Sequence, residues 1–246
     1  MRRVLLGLAC AALCGSAAQA AGTCPAIPPR NPMPVEATPA SLTDPTWLKQ
    51  VADLDARLPS LQRESRQLVF IGDSITAGWD PGLFSQFYGD RSPLLLGIIG
   101  DYTQGVLQRL QDEWGPLRPR LVVLLIGTNN TTWTKAPPAD VALGVAEIVR
   151  LIHRHSPATR VLILGILPHG REASEPVRAV NAQVNALISR CADGQTTFYV
   201  DVGRLLVNAN GQLSNEVSFD GLHLLPVGYA ILATALEPTI HRLMGE

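Results

Sequence analysis

Four short stretches carry side chains that could do chemistry together. Gly72-Asp73-Ser74-Ile75 ends an apolar run, Gly97-Ile98-Ile99-Gly100-Asp101 ends a second, and Gly127-Thr128-Asn129-Asn130 ends a third. The fourth, Ser218-Phe219-Asp220-Gly221-Leu222-His223, stands just ahead of Pro226. These types suit acyl transfer. A serine hydroxyl has a high pKa and needs a base to take its proton. Of the five histidines, only His223 follows an aspartate by three residues in a loop before a helix. Asp220 would fix the imidazole tautomer and steady the imidazolium. The N–H groups of Ser74 and Gly100 and the side-chain amide of Asn129 offer donors for an oxyanion, each worth roughly 3–4 kcal/mol. The expected catalytic set is Ser74, Asp220 and His223, with Ser74, Gly100 and Asn129 as oxyanion hole.

Asp73, Trp79, Tyr102, Trp133 and His169 are candidate substrate contacts, the three aromatics as a sugar-stacking wall. Each residue also has a plainer reading. Gly-Asp-Ser is common in turns, Asp220 could be a helix cap, and Gly100 could serve only a positive φ. Asn129 could close its own loop, Asp73 and Asp101 could brace loops, and His169 could be an ordinary loop residue. His153, His155 and His241 fall in or beside helical stretches and read as solvated. No Cys/His spacing resembles a metal site, and no cofactor is expected.

The positioning elements follow from the pattern. Leu68 to Ile71, Leu94 to Ile99, Leu121 to Ile126, Val161 to Leu167 and Phe198 to Val202 are apolar runs that read as buried parallel strands. Helical spacing lies between them. Asp44-Pro45 opens a helix carrying Trp47, Val51 and Leu54, which Pro59 should end. Thr103 to Leu110, the stretch from Pro138 and Val177 to Ile188 are helical, and Pro226 opens a last helix that Pro238 should kink or end. This alternation predicts a single doubly wound α/β domain of five strands, spanning residues 43–246. A serine at the carboxyl end of such a strand, beside a helix N-terminus, lies where these sheets bind ligands.

Residues 1–20 read as a secretory signal peptide: Met1-Arg2-Arg3, an apolar Val4 to Leu13 too short to span a bilayer, and Ala18-Gln19-Ala20 as cleavage site. The expectation is export to the periplasm or medium, with no stable membrane anchor after cleavage. Residues 21–42 are rich in proline and should run extended over the surface or stay mobile. Cleavage would remove Cys10 and Cys14, leaving Cys24 and Cys191 to pair or remain separate thiols. Net charge is −1, and all the basic residues but Lys49 and Lys135 are arginine, without a basic cluster. A nucleic-acid partner is therefore not expected.

The four stretches together resemble the GDSL, or SGNH, esterase superfamily, whose blocks contribute a Ser, a Gly, an Asn and a His: here Ser74, Gly100, Asn129 and His223. Thr103-Gln104, Val106-Leu107, Arg109-Leu110, Gly165-Ile166-Leu167-Pro168 and Gly228-Tyr229 further resemble the branch of platelet-activating-factor acetylhydrolase catalytic subunits and their bacterial relatives. The resemblance covers about Trp47 to Leu236. It implies a flavodoxin-like strand order, a metal-free serine esterase mechanism and the same roles for Ser74, Gly100, Asn129, Asp220 and His223. Ile99 and Tyr102 depart from the family pattern on either side of Gly100, so the substrate does not carry over. The expected activity is removal of a small acyl group, acetyl above all, from an acylated carbohydrate or other small acyl ester. Alternatives are a lysophospholipase or thioesterase for longer chains, an O-acyltransferase, and a non-catalytic glycan-binding factor. Oligomeric state is left open.

Overall fold

The structure, a computed structural model, describes residues 24, 26–61 and 67–246. The signal-peptide reading therefore lies outside the described residues. Five parallel strands run β1 Leu68–Gly72, β2 Pro93–Gly97, β3 Leu121–Leu125, β4 Arg160–Leu164 and β5 Thr197–Val200. Their order in the sheet is β2-β1-β3-β4-β5, as the resemblance implied. The chain winds to one side of β1 and then crosses back to the other. The carboxyl ends of β1 and β3 thus flank the point where the order reverses, the ligand-binding position of open α/β sheets.

Strand alternation divides the core into two layers. Val69, Ile71, Val122 and Leu124 face one layer, built from α1 Pro45–Leu61, α4 Thr103–Glu113, α6 Pro138–His155 and α7 Pro176–Ile188. Leu68, Phe70, Leu121 and Val123 face the other, built from α2 Ser74–Ala77, α3 Pro81–Tyr88 and α8 Pro226–Met244. With both faces covered, the central strands tolerate no polar residue, which is why they read as unbroken apolar runs. A further short helix, α5 Thr128–Thr132, follows β3.

Several expectations need correction. Pro59 does not end α1, which runs on to Leu61. Pro238 lies inside α8, where Leu232, Leu236, Ile240 and Leu243 are buried on both sides of it; their packing offsets the lost backbone bond. The proline-rich segment does not simply cross the surface. Val35–Ala37 forms a 3₁₀ turn with Glu36 and Ala37 buried, and the Glu36 carbonyl comes so near α6 that a Cβ on Gly144 would lie 2.3 Å from it. A disulfide joins Cys24 to Cys191, resolving the pairing left open by sequence. His153 is buried rather than solvated, with Nε2 3.1 Å from the Thr159 carbonyl oxygen.

Candidate active site

Gly72 ends β1 so tightly that a Cβ there would lie 2.2 Å from the Leu125 carbonyl oxygen. Asp73 then caps α2, its carboxylate accepting from the Ile75 N–H at 3.0 Å. This turn lifts Ser74 off the strand end. Its Oγ lies 2.9 Å from Nε2 of His223. Nδ1 of His223 lies 2.6 Å from Oδ2 of Asp220, and Oδ1 of Asp220 accepts from the backbone N–H groups of Leu222 and His223 at 2.9 and 2.8 Å. An ionised carboxylate only accepts, so the tautomer that fits is protonated at Nδ1, leaving Nε2 to take a proton from the serine. Burial pushes the Asp220 carboxyl up, but the His223 ring and those two amides outweigh it and hold it below the usual carboxylate value. The Phe219 ring stacks on the imidazole at 5.8 Å.

The donors come from three strand ends. The N–H of Ser74 opens α2, and that of Gly100, at φ +78°, has no partner among the described residues. Gln50 of α1 holds the peptides on both sides of Ile99. Its Oε1 accepts from the Ile99 N–H at 3.0 Å and its Nε2 donates to the Ile99 carbonyl at 3.3 Å. Because a peptide is planar and trans, holding the Ile99 carbonyl directs the Gly100 N–H to the opposite side. Asn129 donates one amide hydrogen to the Asp101 carbonyl at 2.8 Å and accepts from Trp133 Nε1 at 3.2 Å, leaving its second amide hydrogen uncommitted.

A buried ion network supports these loops. Arg109 Nε donates to Asp101 at 2.7 Å, Nη1 to Glu113 at 2.6 Å, and Nη2 to the carbonyls of Leu96 and Gly72 at 2.7 and 3.3 Å. Asp101 also accepts from Trp47 Nε1 and the Tyr102 N–H, each at 3.0 Å. One guanidinium thereby ties the ends of β1 and β2 to the Gly100 loop.

Ser74, His223, Asp220, Gly100 and Asn129 are thus brought to one rim, from positions up to 149 residues apart. The candidate substrate contacts divide. Trp79 is a correction: it is 6% exposed, packed in the second layer against Phe70, Phe84, Tyr88 and Tyr229. Asp73 is another: it turns inward as a cap at 1% exposure, and its Oδ2 has no partner among the described residues. Burial pushes its carboxyl up to about 7, with the Ile75 amide opposing. Tyr102 and Trp133 line a cavity of about 610 Å³ beside Gly100 and Asn129. His169 is half-buried, its Nδ1 2.8 Å from Thr132 Oγ1, near enough to feel the charges of Asp220 and His223; burial holds its ring below the usual histidine value. Gln50 escaped sequence reasoning, since nothing in the helical pattern marks it. Among the described residues no cluster of three or more His, Cys, Asp or Glu could hold a metal ion.

A parallel α/β sheet with a serine, histidine and aspartate relay at its switch point defines the class: a carboxylic ester hydrolase. The GDSL-like Lipase/Acylhydrolase family model matches residues 70–231, and the chain belongs to that family. It is 34% identical over 183 residues to platelet-activating factor acetylhydrolase IB subunit alpha1 of Rattus norvegicus, covering 73% of this chain and 77% of that one. Subunit alpha2 of the same organism is 32% identical over 213 residues, covering 82% and 87%. Among solved structures, one from Streptococcus pneumonia, provisionally named a platelet activating factor, superposes with a TM-score of 0.66 at 26% identity, covering 79% of this chain and 94% of that one.

Proposed function

We propose that this chain is an exported serine esterase that removes O-acetyl or similarly small acyl groups from carbohydrate. The observation that carries the mechanism is the 2.9 Å approach of Ser74 Oγ to His223 Nε2, with Nδ1 held 2.6 Å from Asp220. Ser74 Oγ attacks the ester carbonyl while its proton passes to Nε2. The oxyanion meets the N–H groups of Ser74 and Gly100 and the free amide hydrogen of Asn129. As the tetrahedral adduct collapses, the C–O bond to the alcohol breaks and Nε2 returns the proton to that oxygen. A water then attacks the acyl-enzyme carbonyl as Nε2 takes its proton; the bond to Ser74 Oγ breaks, the acid leaves, and Nε2 returns the proton to Oγ.

Acetyl as the acyl group is supported by relatives named as acetylhydrolases. Export is supported by the N-terminal charge and hydropathy pattern and by the Cys24–Cys191 disulfide, a bond that persists in oxidising compartments. A second reading, longer acyl chains, draws on exposed Ile99, Trp133 and Phe219 around the rim. A p-nitrophenyl ester series decides between them. Highest kcat/KM on acetate or propionate is expected; a preference for octanoate or longer overturns the small-acyl reading. A fluorophosphonate probe should label Ser74 in the wild-type chain, and Ser74→Ala should lose at least a thousandfold in kcat with an unchanged Tm. Full activity in folded Ser74→Ala would overturn the mechanism.

A further inference from the structure

The steps above use only two of the residues that line the 610 Å³ cavity, Gly100 and Asn129, and Ser74 and His223 are not among its lining residues. Much of its wall comes from the segment ahead of α1 and from the first turn of that helix. We propose that residues 35–47 form a binding subsite for the alcohol half of the ester, and that this half is a polyhydroxylated ring of one or two sugar units. The inference rests on the esterase reading and names what that site recognises.

Chemistry comes first. Ser41, Thr43 and Thr46 all line the cavity and are exposed, so their hydroxyls are available. Trp133 lines the same cavity, with 67% of its surface exposed. A sugar presents hydroxyls around its edge and C–H groups on its faces. Short alcohol side chains exchange hydrogen bonds with the edge, and an indole stacks on the face. An alkyl chain in the same place would strip water from those hydroxyls and from Asp44 without replacing it. The volume also falls within the roughly 300–1,000 Å³ of small-molecule sites.

Rigidity comes second. A wall that discriminates between ligands must not yield to them. This one is tied along its length. Cys24 is bonded to Cys191, and its carbonyl accepts from Arg150 at 3.1 Å. Arg30 pairs with Asp140. The Glu36 carbonyl accepts from Thr103 Oγ1 at 2.7 Å, and the Ala40 N–H donates to the Gln104 carbonyl at 3.2 Å. Asp44 caps α1 by accepting from the Trp47 N–H at 2.8 Å.

Position comes third. The family match begins at residue 70, so this wall lies before the part of the chain that the match covers. Trp133 apart, the proposed selectivity is thereby carried by a stretch of sequence outside the one that carries the chemistry.

The test fills the cavity without touching the relay. In the full chain, Ser41→Trp and Thr43→Trp are assayed on monoacetylated xylobiose and on ethyl acetate, with Tm measured alongside. Each variant should lose tenfold or more in kcat/KM on the disaccharide ester while ethyl acetate hydrolysis stays within twofold. The triple variant Ser41→Ala/Thr43→Ala/Thr46→Ala, which removes hydroxyls without adding bulk, should raise KM for the disaccharide ester alone. Wild type cleaving acetylated xylobiose well, with the tryptophan variants unaffected or equally impaired on both esters, overturns the subsite and leaves the esterase reading standing. Wild type ignoring every sugar acetate while turning over decanoate esters overturns both the subsite and the small-acyl reading.

Discussion

Gln50 offers a direct check on how the oxyanion site is held. It sits on α1, outside the residues of the family match, and touches neither Ser74 nor His223 in the hydrogen-bond network. Its effect runs through Ile99, whose N–H it accepts at 3.0 Å and whose carbonyl, part of the Ile99–Gly100 peptide, it holds at 3.3 Å. Removing an oxyanion donor outright costs about 2.7–4 kcal/mol of barrier. Gln50→Ala leaves the Gly100 N–H in place and only frees its plane, breaking two neutral hydrogen bonds worth about 0.5–1.5 kcal/mol each. The expected loss is about 1–2 kcal/mol, or roughly 5- to 30-fold in kcat. KM should hardly move, because the donor matters most once charge has built on the carbonyl oxygen. Gln50→Glu separates the two contacts. It can still accept from the Ile99 N–H but, when ionised, cannot donate to the Ile99 carbonyl and adds an anion near the oxyanion. It should fall at least as far as Gln50→Ala at neutral pH, with its deficit relative to wild type narrowing as the pH falls. Steady-state kinetics on a short acetate ester, with a thermal melt for each variant, reads all of this. A kcat within twofold of wild type in folded Gln50→Ala would refute the orienting role.

Three other expectations follow from buried groups. Arg109→Met should cost about 3–5 kcal/mol in urea denaturation, because Asp101 and Glu113 lose their shared guanidinium inside the fold; a loss below 1 kcal/mol would sink that account. Burial raises the Asp73 carboxyl to about 7, so the stability its protonated form contributes is fully present below about pH 4 and is lost as pH rises through about 7. Asp73→Asn should flatten the stability profile across that window, and an unchanged profile would argue against a proton there. Replacing Cys24 and Cys191 by serine opens a loop with a sequence separation of 167, worth up to about 5 kcal/mol in the chain-entropy account and a fall in Tm on the order of 10 °C; an unchanged Tm would mean the tie adds nothing.

The sheet could be read from sequence because burial on both faces leaves its mark residue by residue. β1 and β3 are unbroken apolar runs, and their ends fell within a residue or two of the expected places. Helix ends at proline could not be read, because what carries α8 through Pro238 is core contact from distant residues. Trp79 was misjudged for a related reason. Its neighbours Phe70, Phe84, Tyr88 and Tyr229 come from three elements, although the aromatic pair at positions 84 and 88, one helical turn apart, was a visible hint of an inward stripe. His153 gave no hint at all, since its carbonyl partner Thr159 lies beyond the helix end. Three strand-end blocks and one late loop were visible as separate signals, and the family resemblance, rather than spacing, said which of them meet. The cavity wall was invisible, because nothing local to residues 35–47 says that they share a cavity with the loops of residues 99–133.

The bond between Cys24 and Cys191 divides the molecule in a way that bears on how it fails. The covalent ring encloses β1 to β4 and the nucleophile Ser74, while β5, the loop bearing Asp220 and His223, and α8 form a free tail beyond it. Under oxidising conditions, fraying of that tail would part the histidine from the serine while the ringed portion stays gathered. Loss of turnover would then be the earliest sign of damage, ahead of any change in the bulk of the sheet, and reversible for as long as the tail can find its way back.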